Sequence, residues 1–431
     1  MPVIDLISLG CSKNLVESER LIRQLEAKGY KVNFEPEDSC GDIVVVNTCG
    51  FISDAKEESI NTILELCDKK KRGEIGKVAV MGCLSQRYLD DLKREIPEVD
   101  LWYGKFDWPQ LIKDLPDHSH KKETPRIWER ILTTPSHSAY LKISEGCNRF
   151  CAFCAIPAIT GRYKSRPIEE ILEEVKHLVA KGVKEFNVIA QDLSAYGSDI
   201  YKHSALAELI DKMAEIPGVE WIRLHYAYPA DFPTDLLEVM ARRDNVCKYL
   251  DIALQHISDP VLTNMRRHIT TQETLDLLKK IRERVPGIKI RTTLMTGFPG
   301  EGEKEFEELK EFVKTQRFDR MGAFTYCEED DTYAAKHLND NIPQEIKQER
   351  LDALMALQQD ISQELNDEMV GRIEKVLIDR VEEGVAYGRT QYDSPDVDPE
   401  VIINDPNLQP GEFYDIEITE AYPFELIGRK V

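Results

Sequence analysis

Three times in its first hundred residues the chain ends a short aliphatic run directly on a cysteine: LISLG-Cys11, VVVNT-Cys49 and VAVMG-Cys83. Continuous apolar runs of this length suit strands buried on both faces. Between them apolar residues recur at helical spacing, as Leu15, Leu21, Ile22 and Leu25 do. Strands are expected over 3–9, 43–47 and 77–81, and helices over 15–28, 55–70 and 86–96. This βαβαβα order implies a parallel sheet with helices on its faces. The loops that follow its strands gather at the carboxyl edge, the usual ligand crevice, so the three cysteines should meet there. Gly10 and Gly82 before two of them, and Gly50 after the third, suit backbone running close to a bulky group.

A polar, aperiodic stretch over 114–126 reads as a linker. Six further strand–helix units follow, with strands over 139–143, 186–191, 221–226, 249–254, 289–296 and 320–326. Helices are expected over 169–181, 271–284 and 303–316, and a last one over 344–369. Six parallel units are too few for an eight-stranded barrel, so a partial barrel with an open side is expected. After Gly371 short alternating strands, over 373–379, 386–392, 401–403 and 413–421, point to a small antiparallel barrel. The expected fold class is therefore α/β in three domains: an N-terminal parallel α/β sandwich (1–118), a central partial (β/α)6 TIM-like barrel (133–363) and a C-terminal small antiparallel, OB-like β-barrel (366–431).

No apolar run approaches the ~20 residues that span a bilayer, and the first residues lack the pattern of a secretory leader. The chain is expected in the cytoplasm, away from membranes. In that reducing compartment its ten cysteines point to metal or redox chemistry rather than disulfides.

The densest of these signals is Cys147-Asn-Arg-Phe-Cys151-Ala-Phe-Cys154, in the loop after the first barrel strand. Barrel enzymes place their active sites at that end of their strands. Three thiolates so close can bind three irons of a [4Fe–4S] cluster, whose usual complement is four cysteines. One iron would then stay open to an exogenous ligand. Spacing alone leaves a zinc site or three buried thiols as alternatives; zinc ligands usually come as two CxxC pairs or with histidines, and no second pair lies nearby. Cys40, Cys67, Cys247 and Cys327 lack either context and read as small buried hydrophobes.

The CxxxCxxC spacing resembles that of the radical S-adenosylmethionine superfamily. The resemblance implies that the open iron chelates S-adenosylmethionine, which one electron from the cluster cleaves to a 5′-deoxyadenosyl radical. It also implies that Phe153 lies against the adenine and that Gln191 and Asp192 contact the methionine amino group; a helix cap or core hydrogen bond explains Asp192 as well. SLGCSKNLVESE, VNTCGFI with DAKEESI, GCLSQRY, EGCNRFCAFCAIP, LQHISDPVLTNMRR and TGFPGE together resemble the methylthiotransferase family, across nearly the whole chain. In that family the C-terminal barrel is a TRAM domain. The resemblance implies a second [4Fe–4S] cluster on Cys11, Cys49 and Cys83, whose open iron holds the sulfur to be delivered. It further implies an external electron donor and no catalytic side chain beyond the six cysteine ligands.

One branch of that family modifies an adenosine derivative of transfer RNA. The other modifies the β-carbon of an aspartate in small-subunit ribosomal protein twelve, and LGCSKNLVESE and NTCGFI resemble that second branch. The first branch more typically carries a GCQMN-like motif. Charge bears on the choice independently. The chain has 56 basic and 78 acidic residues, a net charge of −22, and from Leu365 onward 6 basic and 16 acidic residues leave −10. RNA binding needs a basic groove, whereas an acidic reader complements a basic ribosomal protein. Direct nucleic-acid binding is not expected, although Arg266, Arg267 and His268 could seed a basic patch. Two more features carry double readings. Glu328, Glu329, Asp330 and Asp331 form either a solvated acidic loop or a holder for a basic substrate. His225 is either a satisfied core histidine or a residue of the barrel lumen. An iron–sulfur electron carrier without catalysis is the alternative of a different class.

Overall fold

The computed structural model describes residues 1–120 and 123–431; Lys121 and Lys122, inside the expected linker, lie outside the described residues. The N-terminal domain runs β1 (Val3–Ser8), α1 (Ser12–Ala27), β2 (Lys31–Phe34), β3 (Ile43–Thr48), α2 (Ser53–Lys71), β4 (Lys77–Gly82), α3 (Cys83–Glu95), β5 (Leu101–Trp102) and α4 (Trp108–Asp114). Its parallel sheet has the order β2-β1-β3-β4-β5. Val45, Ala79 and Met81 pack on one face with Leu21, Ile22 and Leu25 of α1, while Val44, Val46, Val78 and Val80 pack on the other with Ile63 and Leu66 of α2. Each such side chain, fully buried, contributes about 1.5–3 kcal/mol. That two-sided burial is why these strands read as unbroken apolar runs. β2 and β5 escape the sequence pattern because both are edge strands, short and only partly buried.

The central domain comprises β6 (Ser138–Lys142), β7 (Ser144–Glu145), α5 (Ile156–Thr160), β8 (Lys164–Ser165), α6 (Ile168–Val179), β9 (Glu185–Ile189), α7 (Leu206–Ala214), β10 (Trp221–Ala227), α8 (Leu236–Arg242), β11 (Val246–Ile252), α9 (Asp259–Asn264), α10 (Thr271–Arg284), β12 (Lys289–Thr296), α11 (Glu303–Gln316), β13 (Arg320–Thr325), α12 (Tyr333–His337) and α13 (Gln344–Asp367). Six parallel strands, β6-β9-β10-β11-β12-β13, form the expected partial barrel, with β6 and β13 as its free edges. The second strand stops at Ile189, so Gln191 and Asp192 lie just past it rather than within it.

The C-terminal domain is a closed barrel of β14 (Ile373–Glu382), β15 (Val385–Thr390), β16 (Glu400–Ile403), β17 (Phe413–Ala421) and β18 (Glu425–Lys430). Closure is made by β18, a strand not expected, and its pairing with β16 is parallel, unlike the others. The expected all-antiparallel barrel is corrected at that seam.

Buried ion pairs fasten the outer domains to the middle one. Glu185, the first residue of β9, accepts from Arg389 at 2.7 Å and Arg223 at 3.0 Å. Arg291 meets Asp398 at 2.6 Å, and Arg320 meets Asp393 at 2.7 Å. These central residues lie toward the beginnings of their strands, so the C-terminal barrel caps the end opposite the cysteine loop. On the other side, Glu329 takes Lys56 at 2.9 Å and Arg87 at 3.0 Å. Glu329 is thus a buried tie to the N-terminal domain, not part of a solvated loop. No helix among the described residues is long and apolar enough to cross a membrane.

Candidate functional site

Cys49 and Cys83 stand directly beyond the ends of β3 and β4, and Cys11 three residues beyond the end of β1; these strands finish level, since Ser8 pairs with Asn47 and Thr48 with Gly82. The loops then touch. Gly10 has φ +95°, and a Cβ there would stand 2.7 Å from Cys49 Cβ and 2.9 Å from its Sγ. A Cβ on Gly50 would come within 2.9 Å of the Cys83 carbonyl carbon. Only glycine tolerates such approach at the first position, where φ is also positive. Asn14 ties the loops by donating to the carbonyls of Leu9 and Thr48, each at 3.1 Å, while Cys83 Sγ donates to its Oδ1 at 3.5 Å.

Electrostatics sorts these thiols. Desolvation raises Cys11, but Lys13, the backbone amide of Asn14 and Lys105 outweigh it, and the thiol ends below its ordinary value. Burial pushes Cys83 up to about 11 and also raises Cys49. Lys105 is buried, which disfavours its charge, yet Glu145 and the Cys83, Cys11 and Cys49 sulfurs together raise it above its ordinary value. One ammonium is thus within electrostatic reach of all three thiols.

The second triplet follows β6 and β7. Cys151 Sγ accepts from Arg267 Nη1 at 3.4 Å and lies 3.7 Å from the Tyr228 hydroxyl. The Arg149 amide donates to Cys147 Sγ at 3.5 Å. Burial, with neighbouring sulfurs adding to it, pushes Cys154 far up and takes Cys147 to about 11. Arg149 Nε donates to Asp192 at 2.6 Å; burial nevertheless leaves that carboxyl above its ordinary value. Gln191 Nε2 donates to Glu145. Behind the loop, His256 of the LQHISDP segment meets Glu301 of TGFPGE at 3.2 Å, and Arg350 holds Glu301 at 2.8 Å.

The donor chemistry suits iron–sulfur clusters. Six thiols form two groups of three, each with cations or N–H donors beside it to offset thiolate charge. Cys11 is exposed and Cys154 partly so, which leaves both sulfurs open to a ligand. The buried Oε1 atoms of Gln191 and Gln255 have no hydrogen-bond partner, and such orphans call for one.

Other expected residues fall into place or are corrected. Phe153 packs edge-on to Phe298, ring centroids 6.2 Å apart. His225 is buried, and that burial, with Arg223 and Arg291 nearby, holds it well below its ordinary value, a neutral core imidazole. Arg267 belongs to no surface patch; it is buried against Cys151, while Arg266 and His268 stay exposed. Cys67 and Cys247 are buried as expected, but Cys40 and Cys327 are exposed. Sequence reasoning misses Lys105 because the strand before it has two residues, and Glu145 because nothing in its local pattern marks it.

Comparison with known proteins agrees with this architecture. Residues 4–104 match an uncharacterized protein family, 141–313 the radical SAM superfamily and 370–431 the TRAM domain. The ribosomal protein uS12 methylthiotransferase RimO of Parabacteroides distasonis is 59% identical over 99% of this chain and 98% of its own. Its counterparts in Bacteroides fragilis and Porphyromonas gingivalis are 61% and 58% identical, over 99% of this chain and 98% and 99% of their own. Among solved structures, the radical S-adenosylmethionine methyltransferase TsrM of Kitasatospora setae superposes with TM-score 0.58 at 13% identity, covering 90% of this chain and 80% of its own, a likeness of fold alone. The chain belongs to the RimO family of radical SAM methylthiotransferases.

Proposed function

We propose that this chain attaches a methylthio group to the β-carbon of an aspartate in ribosomal protein uS12. Cys147, Cys151 and Cys154 would hold one [4Fe–4S] cluster with S-adenosylmethionine, and Cys11, Cys49 and Cys83 a second. When bound, the first supplies the radical that removes hydrogen from the target carbon, and the second supplies the methylthio group. The observation that carries this reading is the pair of triplets joined through one strand end: Tyr228 touches Cys151, and Tyr226, two residues earlier, carries Lys13 of the Cys11 loop.

The chain's own groups divide the remaining work. Arg267 donates to Cys151, and the Tyr228 hydroxyl, which donates to the Arg267 carbonyl at 2.7 Å, holds that arginine in place; Lys13 and Lys105 offset the charge of the other triplet. Gln191 and Asp192 would contact the methionine amino group, and Phe153 the adenine. Gln191 keeps an acceptor oxygen free for this, and Arg149 fixes Asp192 in place.

The acidity of the C-terminal barrel supports a basic protein over transfer RNA. A cleft of about 690 Å³ between that barrel and β6 is lined by Asp379, Asp396, Asp398, Glu400 and Glu425, against Arg380 and Arg389. The reaction belongs in the cytoplasm, where the ribosomal protein is made, and draws its electron from an external donor. Incubating the reconstituted enzyme with uS12 and with transfer RNA, followed by mass spectrometry, tests the reading. A methylthio group is expected on uS12; modification of transfer RNA alone would overturn it.

A further inference from the structure

Lys13 rests on an aromatic ring rather than in a salt bridge. Its ammonium lies 3.2 Å from the centroid of the Tyr226 ring, and among the described residues it forms no ion pair, in a chain with 78 acidic side chains. The buried Asp251 and His225 both feel its charge, as does Cys11. It also stands in the first turn of α1, where a cation opposes the helix dipole and acidic residues are absent. Neither local helix stability nor a salt bridge accounts for a lysine here.

Its position does. Lys13 is two residues beyond Cys11, and the ring beneath it is two residues before Tyr228, whose hydroxyl lies 3.7 Å from Cys151 Sγ. Lys13 thus joins the loop of one triplet to the strand that leads to Tyr228 beside the other. Tyr226 itself has φ +63°, a conformation unusual for a bulky residue and typical of positions held by function. Its amide donates to Asp251 at 3.3 Å, which fixes the ring that supports Lys13.

We propose that the Lys13 ammonium binds the carboxylate of the target aspartate and so selects that side chain. The assignment rests on the function proposed above. The chemistry is direct: in aspartate the β-carbon is bonded to the carboxyl carbon, so a grip on the carboxylate fixes the reacting carbon one bond away. Two N–H donors of Lys13 remain for that carboxylate while the cation rests on the aromatic face.

The test compares uS12 with a form whose modified aspartate is replaced by asparagine, using holoenzyme with S-adenosylmethionine and no reductant for binding, then reductant for turnover. The unaltered enzyme is expected to bind the aspartate form roughly ten- to a hundredfold more tightly, the range of a charge-assisted hydrogen bond. Lys13→Met should bind both forms within about twofold of each other, and Lys13→Arg should restore the preference. Equal binding of both forms by the unaltered enzyme, which needs no variant to fold, overturns the assignment. So does a Lys13→Met enzyme that keeps the full preference. No methylthio product on either form would instead overturn the function itself; product on the aspartate form with the preference intact in Lys13→Met overturns the Lys13 assignment alone.

Discussion

Arg267 Nη1 donates to Cys151 Sγ at 3.4 Å while its guanidinium lies 4.1 Å from the centroid of the Tyr228 ring. A buried cation that donates to a sulfur proposed to hold a cluster favours that cluster's more negative, reduced state, because hydrogen bonds and net charge set its potential. Arg267→Gln is expected to move the potential of that cluster to more negative values and to lower activity roughly 10–100-fold, the usual cost of losing a ligand's supporting partner. A redox titration followed by electron paramagnetic resonance checks this; an unmoved potential contradicts it.

Glu185 joins two domains from a fully buried position, facing Arg389 and Arg223. Burial alone would raise its carboxyl, but Arg389 and Arg223 carry it far below the carboxylate range. Glu185→Gln removes the negative charge and leaves two guanidiniums short of a partner. Breaking a buried pair in this way costs about 3–5 kcal/mol. Denaturant unfolding should show a loss of that order, with the C-terminal barrel loosened first in hydrogen exchange.

Asp251 works in the opposite sense. Burial raises its carboxyl from 3.8 to about 6, although Arg291 lowers it in part. A group raised on folding contributes its stability in full below its unfolded value and loses it as pH rises through the folded one. The neutral variant Asp251→Asn should therefore gain on the unaltered protein as pH rises from about 4 to about 7. The gain reaches up to about 3 kcal/mol, at roughly 1.4 kcal/mol for each pH unit by which folding raises the carboxyl. Equal pH dependence of the two unfolding curves would contradict this.

Much of the site is legible in the residue order, for reasons the structure makes plain. Cys147, Cys151 and Cys154 are close in sequence, so spacing suffices. Cys11, Cys49 and Cys83 are distant, but each ends a strand whose two-sided burial shows as an apolar run, and parallel pairing brings those ends level. Partners contributed by a different element are another matter. Arg266, Arg267 and His268 look alike in sequence; tertiary packing turns only Arg267 inward, against Cys151, and leaves Arg266 over the Tyr333 ring at 4.2 Å. Glu329 sits in a run of four acids, and only the arrival of Lys56 and Arg87 makes it a buried tie. Strands such as β2, β5 and β18 leave faint patterns because edges and closures need little apolar surface.

Two clusters in one chain, each on its own three cysteines, are what the proposed chemistry requires. The direct measurement is iron and acid-labile sulfide per chain after anaerobic reconstitution, for the unaltered protein and for variants with each triplet changed to alanine. About eight irons are expected for the unaltered protein, and about four for either variant, since each cluster carries four. About four irons in the unaltered protein, unchanged when Cys11, Cys49 and Cys83 are replaced, would contradict it.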